Sequence, residues 1–214
     1  MTTIDLGKLN PMQGHYASQF NYVSIDELTQ FCALQMQACD TKIRSMTVNQ
    51  QQIVTNGEQL GEAQQALNDL ANTFGSKDKV DGQSNSQDND KDDAKIYDKV
   101  VETLDKLESA AAQATEPAKG AIQKQIDALK GHLDFDGAGN PTQIKDSQDL
   151  FKQDVLDMAK DLQPTIDKNQ TDQSMNMIKV QSAVSQREQM IQLVTGMIQK
   201  MNEMVSSVVA NIGK

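Results

Sequence analysis

Cys32 and Cys39 are the chain's two cysteines, and a thiol can serve as nucleophile, metal ligand or disulfide partner. They stand seven residues apart. On a helix that spacing is two turns, roughly 10.5 Å along the axis, too far for a bridge within the chain. His15 and His132 are the only histidines, so no metal cluster has ligands at usable spacing. Asp134-x-Asp136 followed by Gly139 hints at a calcium loop. Counting from Asp134, however, Ala138 and Lys145 occupy the fifth and twelfth positions, where a ligand and a bidentate Glu belong. Asp88-x-Asp90-x-Asp92 fails in the same way, with Asp93 at the glycine position and Lys99 at the twelfth. There is no Gly-x-Ser-x-Gly, phosphate loop or dinucleotide fingerprint. The sequence predicts no catalytic, cofactor-binding or metal residues, and not an enzyme.

The cysteines fit a packing role better. They belong to a seven-residue stripe, Ile25, Cys32, Cys39, Met46, Ile53, Leu60, Leu67 and Phe74, in which every position is apolar. Small apolar thiols suit such a seam. A capping box, Ser24 with Glu27 three residues on, opens the pattern. A parallel stripe starts well at Met36 and Ile43 and decays into Gln50, Gly57 and Gln64. Asn56-Gly57 could cap a helix, yet the first stripe stays in phase through it. The prediction is one helix over 24–74, roughly 75 Å long. A helix that long needs a partner.

The best-patterned segment lies at the other end, where a long C-terminal helix is expected over 165–214. One stripe is Met177, Val184, Ile191, Ile198, Val205 and Ile212; a second is Val180, Arg187, Val194, Met201 and Val208; a third is Ala183, Met190, Met197 and Met204. Two stripes make a coiled-coil seam, whereas three make a face too wide for one partner helix. We assign the coiled-coil seam to the first stripe of each helix, from Ile25 to Leu67 and from Met177 to Ile212. Self-association is assigned to Met190, Met197, Met201, Met204 and Val208. The expected fold is all-α: a long antiparallel coiled-coil pair of N- and C-terminal helices around a small helical or irregular middle insertion.

Between the helices, residues 75–93 hold one aliphatic side chain, Val80, and read as a disordered acidic linker. Residues 94–164 read as a variable helical middle segment. Ile96, Tyr97, Val100, Val101, Leu104 and Leu107 give one helix up to Glu116-Pro117; Ile122, Ile126 and Leu129 give a second. A third starts at Asp146 or Ser147 and ends near Pro164. Residues 1–23 are polar, without period, and read as a flexible arm. No strand alternation of useful length and no repeat of 20–50 residues is visible.

Charge limits the partners. Net charge is −10, which argues against nucleic acid and against docking on anionic lipid. No run approaches the ~18 apolar residues of a membrane span, and no cleaved leader pattern opens the chain. Residues 171–214 carry only three acidic and four basic side chains, against 20 and 13 over 76–170. A nearly neutral helix with Gln, Asn, Ser and Thr at its polar positions suits burial against several neighbours, copies of itself included.

The layout of arm, capped long helix, acidic middle and neutral C-terminal helix resembles the type III secretion needle-tip and filament proteins. The resemblance rests most on residues 174–214, SMNMIKVQSAVSQREQMIQLVTGMIQKMNEMVSSVVANIGK. The opening Thr3-Ile4-Asp5-Leu6-Gly7 is similar to the EspA-like filament branch. The resemblance implies export with an uncleaved signal in residues 1–23, secretion to the bacterial cell surface and assembly at the tip of the secretion apparatus. Implied partners are copies of itself, the needle subunit, translocator proteins and a cytosolic secretion chaperone. The alternatives are a cytosolic coiled-coil adaptor or chaperone-like protein, and a needle- or flagellin-like structural subunit.

Overall fold

The computed structural model describes residues 25–87, 90–146 and 149–212. The arm expected over 1–23 lies outside them. Helix dominates, in the order α1 (Ile25–Thr73), β1 (Lys79–Val80), α2 (Lys91–Gln113), α3 (Ala118–Gly131), β2 (Leu133–Phe135), β3 (Pro141–Ile144), β4 (Leu150–Phe151), α4 (Lys152–Asp161) and α5 (Gln163–Ile212). The two long helices fall close to their expected bounds, and α1 runs unbroken through Asn56-Gly57. The chain divides into two compact units, Val48–Met177 and Met1–Thr47 with Ile178–Lys214.

The middle unit, 48–177, holds a continuous hydrophobic core. Leu60, Leu67 and Leu70 of α1 and Phe74 just after it meet Ile96, Val100, Leu104 and Leu107 of α2, Ile122, Ile126 and Leu129 of α3, and Val155 of α4. These residues recur at three- and four-residue spacing, so each helix has one apolar face to bury. Asp90 caps α2, its carboxylate accepting from the Asp92 amide at 2.9 Å. Asp92 and Asp93 add negative charge to the first turn, favourable against the helix dipole. Extended Ala114 ends α2 just ahead of Pro117.

The described part of 75–93 is structured, which corrects the linker reading. Val80 is fully buried, and β1 pairs antiparallel with β4, Lys79 opposite Phe151 and Val80 opposite Leu150. The Gln83 amide donates to the Ile144 carbonyl and the Ile144 amide to the Ser84 carbonyl, at 2.8 and 2.9 Å. Lys77 bridges Asp90 at 2.7 Å and Asp93 at 2.6 Å, and Lys79 bridges Asp81 and Asp149, both at 2.8 Å. One aliphatic side chain and paired charges thus hold a segment whose composition reads as unfolded. Replacing 75–93 with a Gly/Ser linker of equal length should cost about 2 kcal/mol or more through Val80 alone. By thermal denaturation that is a fall of roughly 4–8 °C; unchanged melting would show that its packing contributes nothing.

The four short strands are a second difference. Strand β2 pairs antiparallel with β3, Leu133 opposite Ile144, with an irregularity between Asp134 and Phe135. The helix expected from Asp146 or Ser147 begins instead at Lys152, after β4. That helix does end near Pro164, at Asp161, and Pro164 itself sits in the first turn of α5, where a missing amide hydrogen leaves no helical bond unmade.

Within the middle unit α1 and α5 run antiparallel, linked by amide side chains. Gln64 Nε2 donates to Gln163 Oε1 at 3.0 Å, Asn169 Nδ2 to the Ile53 carbonyl at 2.9 Å, and Asn176 Nδ2 to Gln50 Oε1 at 2.8 Å. Gly57 leaves room for the Asn169 amide. A Cβ on it would lie 2.8 Å from Asn169 Nδ2, whereas one on Gly61 would meet nothing within 4 Å.

Candidate interaction surface

In the other unit the helical segments 25–47 and 178–212 carry the interaction candidates. Among its described residues only Cys32 and Ala183 are buried, each 2% exposed. Around them Cys39 and Met46 of α1, and Val180, Met190, Val194, Met197, Met201 and Met204 of α5, are half-buried. Arg187 Nε lies 2.6 Å from Asp40 Oδ1, both side chains partly solvated. Such a pair is worth ~0–1 kcal/mol, enough to bias the alignment of two helices but not to hold them.

On α5 the exposures run opposite to the two assignments. Val184, Ile191 and Ile198, expected in the seam, are 37%, 36% and 52% exposed. The methionines expected at a self-association face, Met190, Met197, Met201 and Met204, are the more buried set. In the middle unit Met177, also expected in the seam, is 52% exposed, whereas its neighbour Asn176 is 5% exposed. The reason is steric and polar together. Neighbouring helix positions point ~100° apart, so Asn176 and Ala183 share one line while Met177 and Val184 share another. A small Ala permits close approach and an Asn can hydrogen-bond, so the line with fewer large apolar groups is the one turned inward. On α1 the assigned seam is inward: Cys32, Leu60 and Leu67 are buried, and Cys39, Met46 and Ile53 half-buried. The side chains of Ile25, Val205, Val208 and Ile212 lie outside the described ones.

The outcome is an uncovered apolar line on α5, Val184, Ile191 and Ile198, with Leu34 of α1 and Ile178 of α5 also exposed, at 63% and 64%. Segments 25–47 and 178–212 carry five acidic and five basic side chains, whereas 48–177 carries 24 and 13. The acidic excess of the chain lies almost wholly in the middle unit.

The residues first considered for chemistry have structural surroundings. Cys32 and Cys39 are both free, and burial pushes the Cys32 thiol above its ordinary pKa, away from nucleophilic use. Asp136 closes the β2–β3 turn, accepting from the Asn140 amide at 2.8 Å, the Ala138 amide at 2.9 Å and Asn140 Nδ2 at 3.1 Å. Those bonds, the Asn140 ones foremost, hold its carboxyl below the usual range. Gly139 takes φ +86° in this turn, a conformation that suits glycine. The apparent calcium spacing is therefore a hairpin that satisfies itself. Asp88 lies outside the described residues; Asp90 is a helix cap and a partner of Lys77. Among the described residues no group of three or more His, Cys, Asp or Glu could hold a metal ion. No described helix is long and apolar enough to cross a membrane. No family model, curated protein or solved structure matches the chain.

Proposed function

We propose that this is a secreted structural protein that assembles with copies of itself at the tip of a type III secretion needle and supports delivery of translocators and effectors. The observation that carries the reading is the uncovered Val184–Ile191–Ile198 line on a charge-balanced pair of helical segments. Like copies repel least where their charges cancel, so the apolar line and the neutral segments favour the same surface. The resemblance of residues 174–214 to the tip and filament proteins supplies the location. In this reading α1 and α5 pair as an antiparallel coiled coil, with Ala183 and the methionine line facing Cys32, Cys39 and Met46. The needle subunit and translocators are its neighbours after export, and a cytosolic chaperone holds it before.

Export is the direct test. In the source bacterium the protein should appear in the culture supernatant of the parent strain and be retained in cells when the secretion ATPase is deleted. Retention in both strains would favour the cytosolic adaptor. Uniform incorporation along the needle, without enrichment at its tip, would favour a needle- or flagellin-like subunit.

A further inference from the structure

Asn56-Gly57 is the one Asn-Gly step in the sequence. With no side chain on the following residue, the Gly57 backbone nitrogen can approach the Asn56 side-chain carbon unhindered, which makes this pairing the most prone to succinimide formation. The folded chain opposes that approach twice. Asn56 is 5% exposed, and its Oδ1 accepts from the Thr115 amide at 2.8 Å and from Thr115 Oγ1 at 3.2 Å. The second lock is the backbone. Gly57 lies inside α1, where helical geometry commits its amide hydrogen to the Ile53 carbonyl. The same carbonyl accepts from Asn169 Nδ2, whose amide lies directly over Gly57.

We propose that Asn56-Gly57 is a fold-gated deamidation site, closed in the native chain and opened whenever the middle of α1 unfolds. In the open chain the Gly57 backbone nitrogen gives up its proton and bonds to Asn56 Cγ. The bond from Cγ to the side-chain nitrogen breaks, and that nitrogen leaves as ammonia. Water then opens the cyclic imide, leaving aspartate or isoaspartate at position 56. Neither oxidant nor reductant is needed.

Both products oppose refolding. Aspartate places a carboxylate at a site shielded from water, and although Thr115 still donates to it, its desolvation is unfavourable. Isoaspartate adds a methylene to the main chain within α1 and breaks the hydrogen-bond ladder beside the Asn169 contact. Position 56 therefore records time spent unfolded, and a chain modified there returns poorly to the native state. This inference is independent of where the protein acts.

Asn85-Ser86 supplies an internal reference. It lies in a loop, where Asn85 Oδ1 accepts from the Gln87 amide two residues on, at 2.9 Å. The full chain is incubated at mildly alkaline pH in native buffer and in urea, and both sites are followed by peptide mapping and mass spectrometry. Deamidation at Asn56 should be about tenfold or more slower in native buffer than in urea, because the reaction waits on local opening; Asn85 should change far less. Gly57→Ala, compared in urea where folding plays no part, should suppress the reaction at position 56. Equal rates at Asn56 in buffer and urea would overturn the proposal. So would an unmodified Asn56 in urea after Asn85 has reacted.

Discussion

Leu67→Ala should destabilise the middle unit by about 2–5 kcal/mol, the range for removing a large side chain from a packed core. Leu67 is 0% exposed and belongs to the cluster joining α1, α2, α3 and α4. Ile191→Ala should cost under about 1 kcal/mol, since partly solvated positions tolerate truncation. Urea unfolding followed by circular dichroism compares the two directly. The contrast is informative because both residues occupy flawless seven-residue stripes in the sequence. Similar losses for both would mean that Ile191 is buried in solution and that the inward face of α5 is assigned wrongly.

That comparison marks where the sequence is legible. Long helices carry their own evidence: eight apolar positions in phase locate α1 to within a residue or two of Ile25–Thr73. The helical spacing of Ile96, Val100, Leu104 and Leu107 likewise locates α2. Strands of two to four residues carry almost none. Lys79–Val80 and Leu150–Phe151 are too short for alternation to register, and their pairing joins residues some seventy positions apart. Val80 is one aliphatic residue among polar ones, so composition outvotes the one buried aliphatic side chain and the paired charges that hold the segment. The facing of α5 fails for another reason. A stripe counted by apolar content favours Met177, Val184 and Ile191, but close approach is set by Ala183 and by an amide partner for Asn176. Neither property adds to hydrophobic content. For the same reason the close approach of Asn169 to Gly57 is invisible until the partner helix is in place.

The triple change Val184→Glu, Ile191→Glu and Ile198→Glu is expected to abolish self-association while leaving helical content and melting nearly unchanged. Each of these side chains is already more than a third exposed, so only the uncovered remainder can be buried on assembly. Full burial of such a side chain is worth roughly 1.5–3 kcal/mol; the remainder gives roughly 0.5–1.5 kcal/mol each, or about 3–9 kcal/mol gross over two copies. Association costs an estimated 4–15 kcal/mol in lost freedom. The line alone therefore supports weak, concentration-dependent contact, and a stable ring or filament requires more, for which Leu34 of α1 and Ile178 of α5 are further exposed apolar side chains on the same two segments. Three glutamates remove the apolar gain and add like charges that face their own copies, so both terms turn against assembly. Met197→Glu with Met204→Glu should behave differently. Those side chains are half-buried within the subunit, so the double change should lower the melting temperature as well as any association. Sedimentation velocity across a wide concentration range, with circular dichroism on the same samples, separates the two variants. A parent that stays monomeric throughout, or a triple variant that sediments like the parent, would remove the Val184–Ile191–Ile198 line as the assembly surface.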